Sequence, residues 1–364
     1  MSPTPPSDPL TLGQHLVAVL ETGARVATYK LAVLVALLEF CVEHVPEDHD
    51  AEVSVDLDDL SARVIALYWR QVRDFDGHYL RQSSNKVAKI PDAVRDLASS
   101  TRSHGREIPL DIAARRDPDA YRRTVATVKL VLAQQPLFRL QRVPGRSATA
   151  AFLFDDSWLS DKASARTIQD HGNCIVLFPG VCFALARLSA LLKPALLIAW
   201  VDDVRRMNSY LSETVPDLEG HLFGSDRVAL QRPREVLTEA FGDRCFYCAT
   251  RLGPAAHVDH VLPWSRVGID GLTNLVLACP RCNTSKSQLL PDRAHVDRAL
   301  DRGRAVLDEL AARIEWPSQF DRVRTSARGL YASQPVGSPV WRAPQDIVSL
   351  RLDVSWLTST DLLS

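Results

Sequence analysis

The chain has 364 residues, 46% of them hydrophobic and 24% charged, which excludes an intrinsically disordered protein and predicts a folded one. This length exceeds what one hydrophobic core usually holds, so we expect two or three domains. A formal net charge of −1 excludes a broadly basic surface. Any affinity for a polyanion must therefore come from local patches.

The first part of the chain is predicted to be mainly helical. The segment from Thr28, TYKLAVLVALLEFCVEH, is apolar on nearly every side, which predicts a helix buried in the middle of its domain. A further helix is predicted after a cap at Asp58, and another, DPDAYRRTVATVKLVLAQQ, after a cap near Asp117. FRLQRV and TAAFLFDD then predict two strands around a VPGRS turn.

Arginine is frequent from residue 101 to residue 146, and Arg122 and Arg123 are predicted to face solvent. Two interpretations stay open for this surface. It is either an ordinary solvated helix face or a patch that contacts the phosphates of a nucleic acid.

An apolar run, IVLFPGVCFALARLSALLKPALLIAW, raises the question of a membrane span. Because Arg187, Lys193 and Pro194 interrupt it, we predict two buried helices that meet near Pro194. The N-terminus has no signal-peptide pattern, and the cysteines outside the motif below lie in apolar settings. Both features predict a cytoplasmic protein without a membrane partner.

Two Cys-x-x-Cys pairs, Cys245/Cys248 and Cys279/Cys282, carry the strongest motif in the chain. Two such pairs can supply the four thiolates of one tetrahedral structural zinc. Two disulfides are the alternative, but they fit poorly with seven cysteines and no secretion signal. Since four thiolates leave no open coordination position, this zinc is not expected to be the catalyst.

The segment between and after the pairs predicts a strand (HVDHVLPW), a loop, a second strand (TNLVLAC) and a helix (PRCNTSKSQL). With its four cysteines, this segment resembles an HNH endonuclease, the ββα-metal nuclease family, in the subgroup with a four-Cys zinc knuckle. His260, Asn274 and Asn283 stand where that family has its His, its Asn and its final His or Asn. The resemblance further suggests the bacterial restriction or phage-defence type.

The resemblance implies a role for each polar residue of the motif. Asp259 and Asn283 would offer oxygen ligands to a catalytic Mg²⁺ or Mn²⁺. His260 would deprotonate the attacking water. Asn274 would fasten the loop to the strand and hold the histidine, and Lys286 would meet a substrate phosphate.

Taken singly, these residues have ordinary alternatives: a surface pair, a turn residue or a solvated helix charge. Their joint spacing inside the zinc frame favours the nuclease interpretation. His257 either approaches the metal or packs on the hairpin. Arg266 and Arg281 are further candidates for phosphate contacts.

We therefore predict an α+β protein, mainly α with small β elements. Its predicted parts are an N-terminal mainly helical recognition or regulatory domain (1–155), a helical connecting region (156–230), an HNH nuclease domain (231–315) and a C-terminal extension packing on the core (316–364). The expected function is metal-dependent hydrolysis of DNA phosphodiester bonds. An RNA-directed nuclease and a non-catalytic zinc module that binds nucleic acid or protein remain alternatives, and an activating protein partner or a homo-oligomer stays open.

Overall fold

The computed structural model describes residues 8–22, 26–85, 87–101, 108–142, 151–211, 218–224, 230–253 and 256–351. These residues form two units. Unit 1 comprises Met1–Cys41 and Val45–Gly224, and unit 2 comprises Val42–His44 and Ser225–Ser364. The four-part division predicted from the sequence stays a prediction.

Unit 1 is built mainly from helices. They are α1 (Pro9–Thr22), α2 (Tyr29–Glu43), α3 (Leu57–Gln71), α4 (Lys89–Thr101), α5 (Leu110–Arg116), α6 (Pro118–Gln134), α7 (Pro136–Leu140), α8 (Ala165–Asp170), α9 (Val181–Met207) and α10 (Leu218–Phe223). Within α2, every residue from 31 to 41 is buried, as its all-round apolar sequence predicts. Asp117 caps α6 by accepting a hydrogen bond from the Ala120 amide, which confirms the predicted start of that helix.

Two antiparallel pairs of strands complete unit 1. They are β1 (Val53–Asp56) with β4 (Cys174–Leu177), and β2 (Asp74–Phe75) with β3 (His78–Tyr79). Asp56 at the end of β1 caps α3, since its Oδ1 accepts from the amides of Asp58 and Asp59. The cap predicted at Asp58 is therefore wrong by two residues.

Helix α9 runs through Pro194 without a break for 27 residues, so the prediction of two helices is wrong. Pro194 lies on the exposed face, whereas Leu192 and Leu196 beside it are buried and hold both halves of the helix on the same core. Among the described residues, α9 is the helix long and apolar enough to cross a membrane. Half of its most apolar stretch is buried inside the protein.

The first three residues of the segment predicted as the strand FRLQRV belong to helix α7 instead. Pro136 occupies the first turn, where its fixed φ suits a helix, and Leu137 and Leu140 are buried on one side. The predicted turn and the start of the second strand lie outside the described residues. What is described of that strand forms an isolated bridge between Phe154 and Leu177.

Unit 2 consists of short elements. They are α11 (Gln231–Phe241), β5 (His257–His260), α12 (Trp264–Val267), the 3-10 helix η1 (Leu272–Asn274), β6 (Leu275–Ala278), α13 (Pro280–Lys286), α14 (Arg293–Leu300), α15 (Arg304–Arg313), α16 (Phe320–Ala332), β7 (Pro339–Ala343) and β8 (Asp346–Ser349). Antiparallel β5 and β6 pair from His257↔Ala278 to His260↔Leu275, and β7 pairs with β8. The α+β class is confirmed, with a domain near the C-terminus that holds four clustered cysteines.

The loop between β5 and β6 is fixed by a close backbone approach. The Leu272 amide donates to the Pro317 carbonyl at 2.8 Å, and the Thr273 amide donates to the Ser318 carbonyl at 3.2 Å. A Cβ at Gly271 would lie 2.5 Å from the Ser318 carbonyl oxygen, so no side chain fits there. The segment before α16 thereby holds one end of the loop that leads into β6.

Candidate active site and zinc knuckle

The four cysteines of the two Cys-x-x-Cys pairs converge on one point. Their sulfur atoms all lie within 4.8 Å of one another, and the Cys248 and Cys279 sulfurs are 3.8 Å apart. Four thiolates bound to one zinc at about 2.3 Å would lie about 3.8 Å from each other in a tetrahedron. The four cysteines therefore fit a single tetrahedral metal ion.

The surroundings of these sulfurs also suit bound thiolates. The Cys279 amide donates to the Cys245 sulfur at 3.3 Å, and the Cys282 amide donates to the Cys279 sulfur at 3.4 Å. Trp341 of β7, 1% exposed, packs with Cys245 and Cys282, and its Nε1 donates to Ser285 Oγ. Partial charges on the amides thus face the sulfurs, while an aromatic side chain excludes water.

Asp259 of β5 lies next to this cluster, and its carboxylate is held by two donors. Tyr247, which stands between Cys245 and Cys248, donates its hydroxyl to Asp259 Oδ2 at 2.6 Å. Lys286 of α13 donates from Nζ to Asp259 Oδ1 at 3.3 Å and to the His260 carbonyl at 2.7 Å. The knuckle, the strand and the helix therefore meet at one carboxylate.

His260 ends β5 and pairs with a second carboxylate. Its Nε2 donates to Asp270 Oδ1 at 2.8 Å. A proton on Nε2 leaves the lone pair on Nδ1, so Nδ1 is the basic nitrogen of this ring. The Trp316 Nε1 donates to the backbone carbonyl of Asp270 at 2.7 Å, which fixes the acidic residue in turn.

Asn274 joins the loop to the strand through hydrogen bonds to backbone groups, and these groups belong to residues other than His260. Its Oδ1 accepts from the Leu262 amide at 2.8 Å, and its Nδ2 donates to the carbonyls of Leu262 and Ile269 at 3.0 Å. Because Ile269 precedes Asp270, the amide fixes the position of the carboxylate that holds His260. Asn274 is fully buried.

Asn283 lies on α13, one turn before Lys286, and is half-buried. Its Nδ2 donates to Nδ1 of the exposed His257 on β5 at 2.9 Å. His257 and Asp259 point to the same side of the strand, the side on which α13 packs. Asn283 and Asp259 thus both lie where helix and strand meet.

Two family models match the chain. One, described as Domain of unknown function (DUF8808), matches residues 10–217, more than half of the chain, and the other, HNH endonuclease, matches residues 245–289. The chain belongs to the DUF8808 family and carries an HNH endonuclease domain. No curated protein and no solved structure matches the chain.

The sequence analysis does not identify two polar residues of the HNH domain, Tyr247 and Asp270. The available signals are a tyrosine between the cysteines of the first pair and an acidic residue between Gly268 and Gly271. Their bonding partners lie 12 and 10 residues away along the chain, so only the folded domain reveals them.

Lys286 has different partners from those the sequence suggested. It is fully buried, so its ammonium group contacts the Asp259 carboxylate and a backbone carbonyl rather than solvent. Burial lowers the pKa of Lys286, and the nearby Asp259 charge opposes that shift. In this structure the ammonium group contacts Asp259, and the contact of Lys286 with a substrate phosphate stays a prediction.

The four arginines proposed to contact nucleic acid are divided between the units. Arg122 and Arg123 are exposed on α6 of unit 1, and Arg122 pairs with Asp119. In the HNH domain, Arg281 is exposed on the first turn of α13, whereas Arg266 on α12 is half-buried. Burial lowers the pKa of Arg266. Arg281 is the more accessible cation of the HNH pair.

Proposed function

We propose that the protein is a metal-dependent HNH endonuclease that hydrolyses phosphodiester bonds in DNA. The observation that supports this most directly is His260, which is anchored through Nε2 by Asp270 and lies next to the buried Asp259 carboxylate. An imidazole held in this way is suited to act as a general base. The match of residues 245–289 to the HNH family supports the same reaction class.

Asp259 and Asn283 are the residues we propose to hold a catalytic Mg²⁺ or Mn²⁺. A carboxylate oxygen and an amide oxygen are hard ligands of the kind these ions take, and both side chains lie where α13 meets β5. When bound, the ion would polarise the scissile phosphate and stabilise the leaving oxygen. Tyr247 and Lys286 would keep the Asp259 carboxylate in place.

His260 would take a proton from the attacking water at Nδ1. Asp270 would hold the ring in the tautomer that leaves Nδ1 free, and its negative charge would stabilise the imidazolium that forms. Asn274 would act through the loop backbone that carries Asp270. The zinc bound by the four cysteines would be structural.

Cleavage of plasmid and phage DNA, modified and unmodified, by purified protein with Mg²⁺ or Mn²⁺ tests the proposal. We expect cutting that EDTA abolishes and that His260→Ala slows by about 10²–10⁴-fold, because the general base is lost. His78→Ala, an exposed histidine of unit 1, is the matched control and should cut normally. Equal cutting by His260→Ala would refute the assignment of the base.

The same assay separates the alternatives. Cutting of RNA in preference to every DNA would replace the proposed substrate. Binding without cutting of either, by folded zinc-loaded protein, would favour a non-catalytic module or a nuclease that a partner activates. A preference between modified and unmodified phage DNA would support a role in bacterial restriction or anti-phage defence, which is the role we propose. We propose the cytoplasm as its location.

The Asp270–His260 pair allows a second test. Asp270→Asn keeps an oxygen that can accept from Nε2 but removes the charge, so we expect cleavage to fall by about 10–100-fold with unchanged thermal stability. Asp270→Glu should recover part of the rate, since it restores the carboxylate. Single-turnover rates at saturating DNA measure both effects, and an unchanged rate in Asp270→Asn would remove Asp270 from the mechanism.

A further inference from the structure

Helix α9 presents an apolar face that no described residue covers. Leu191 is 72% exposed and Ile198 is 58% exposed, and Pro194 and Ala195 between them are exposed as well. These four residues recur at helical spacing, so they form one continuous line, which we call the α9 stripe. Exposed apolar surface of this continuity is typical of a protein contact.

Charges of opposite sign close the two ends of the α9 stripe. Arg187 is exposed one turn before Leu191, and Asp202 is exposed one turn after Ile198. Asp202 pairs with Arg205 at 3.4 Å and still leaves 62% of its side chain exposed. An apolar centre with a charged rim is the usual composition of an interface.

The order of these residues is symmetric about the point between Pro194 and Ala195. Leu191 and Ile198 lie three residues to either side of that pair, and Arg187 and Asp202 lie seven residues to either side. Two copies of α9 packed antiparallel about a two-fold axis would therefore bring Leu191 of one copy against Ile198 of the other. The same operation brings Arg187 against Asp202, twice.

We propose that the protein forms a homodimer through the α9 stripe, with two α9 helices antiparallel and Pro194 and Ala195 at the two-fold axis. Small side chains at the centre let the two helices approach closely, and the charge pairs at the ends select the antiparallel register. No other arrangement of one helix against its own copy pairs both charges with their opposites.

The extent of the surface indicates a dimer of moderate affinity. The stripe from Arg187 to Asp202 is about 22 Å long at about 1.5 Å per residue. The neighbouring helix α1 packs on α9 where Gly13 meets Leu188, and it also exposes Leu10 and Val17. We expect a dissociation constant in the micromolar range.

Sedimentation velocity of the full chain, between about 1 and about 100 µM, measures the dimer. The double variant Leu191→Glu/Ile198→Glu should raise the dissociation constant at least about 100-fold, because it buries like charges at the centre. Ile347→Glu is the matched control, since Ile347 is 56% exposed on β8 in unit 2, and it should leave the dimer unchanged. A chain that stays monomeric at about 100 µM, or a dimer that the double variant does not weaken, overturns the proposal.

A charge exchange tests the register separately. Arg187→Glu or Asp202→Arg alone should weaken the dimer by about 10-fold, because each places like charges together. The combined variant restores opposite pairs and should return to within about 3-fold of the natural chain. These positions are exposed, so the fold should survive, which thermal unfolding checks. Failure of the combined variant to recover overturns the antiparallel arrangement.

Discussion

Helix α2 of unit 1 and the β5–β6 hairpin of unit 2 differ in length and in how completely they are buried. Helix α2 has 15 residues and buries an unbroken run of apolar side chains. The hairpin has two strands of four residues each, followed by a helix of seven. Elements this short are marginal in isolation, so we expect the stability of the HNH domain to depend on a bound metal ion more than that of unit 1 does.

Among the residues that the structure describes, each unit also buries one lysine. Lys193 of α9 pairs with Glu39 of α2 at 2.8 Å, and Lys286 of α13 pairs with Asp259 at 3.1 Å. The first pair joins two core helices. The second shares its carboxylate with Tyr247 and its lysine with the backbone before the active-site loop. A buried lysine thus joins two core helices in one unit and holds the Asp259 carboxylate in the other.

Loss of the zinc should have the largest effect, and it should destabilise unit 2 rather than unit 1. Cys279→Ser is expected to unfold the HNH domain, because structural zinc contributes roughly 10–16 kcal/mol in small zinc domains. Zinc content and hydrogen exchange, compared between the units, measure the result, and α2 and α9 should stay protected. Cys174→Ser in unit 1 is the control, since Cys174 lies outside the cluster. Full zinc content and stability in Cys279→Ser would show that the site is not structural.

Loss of the buried cation of α9 should destabilise unit 1 in turn. Lys193→Met removes the ammonium group that pairs with the buried Glu39 carboxylate, so we expect a loss of about 3–5 kcal/mol in the free energy of unfolding. The double variant Glu39→Leu/Lys193→Met should recover most of that loss. Urea unfolding measures all three chains, with exposed Lys162→Met as the control. If the single and double variants have equal free energies of unfolding, Glu39 and Lys193 do not stabilise the core as an ion pair.

The smallest expected change concerns the link between the knuckle and Asp259. Tyr247→Phe removes one hydroxyl donor and keeps the ring, so the zinc and the fold should persist. We expect affinity for Mn²⁺ to fall about 10-fold, as happens when a partner of a metal ligand is lost. Calorimetric titration of zinc-loaded protein measures it, and Tyr210→Phe, with Tyr210 exposed, is the control. Unchanged Mn²⁺ affinity would separate Tyr247 from the metal site.

The sequence correctly predicted features that depend on residues close together along the chain. Cys-x-x-Cys spacing sufficed for the cysteine cluster, and an aspartate before Pro118 sufficed for the start of α6. The break expected at Pro194 was wrong because core packing on both sides outweighs one lost hydrogen bond. The strand expected at FRLQRV was wrong because Pro136 starts a helix there.

The hydrogen-bond partners of the site residues were harder to predict from the sequence than the residues themselves. Spacing named His260, Asn274 and Asn283, but their partners depend on how a knuckle, a strand and a loop meet. A long lysine side chain on a short helix looks solvated in sequence, yet Lys286 is fully buried because α13 lies against β5. Polar pairing across such distances is a property of the folded domain.

The position of Trp341 near the end of the chain also determines when the cysteine cluster can be covered during synthesis. During synthesis the four cysteines and the HNH segment leave the ribosome before the strand that covers Cys245 and Cys282 exists. Until residue 341 emerges, water can reach sulfurs that the finished protein shields. A chain that ends before residue 341 would therefore leave Cys245 and Cys282 more accessible to water than they are in the complete fold.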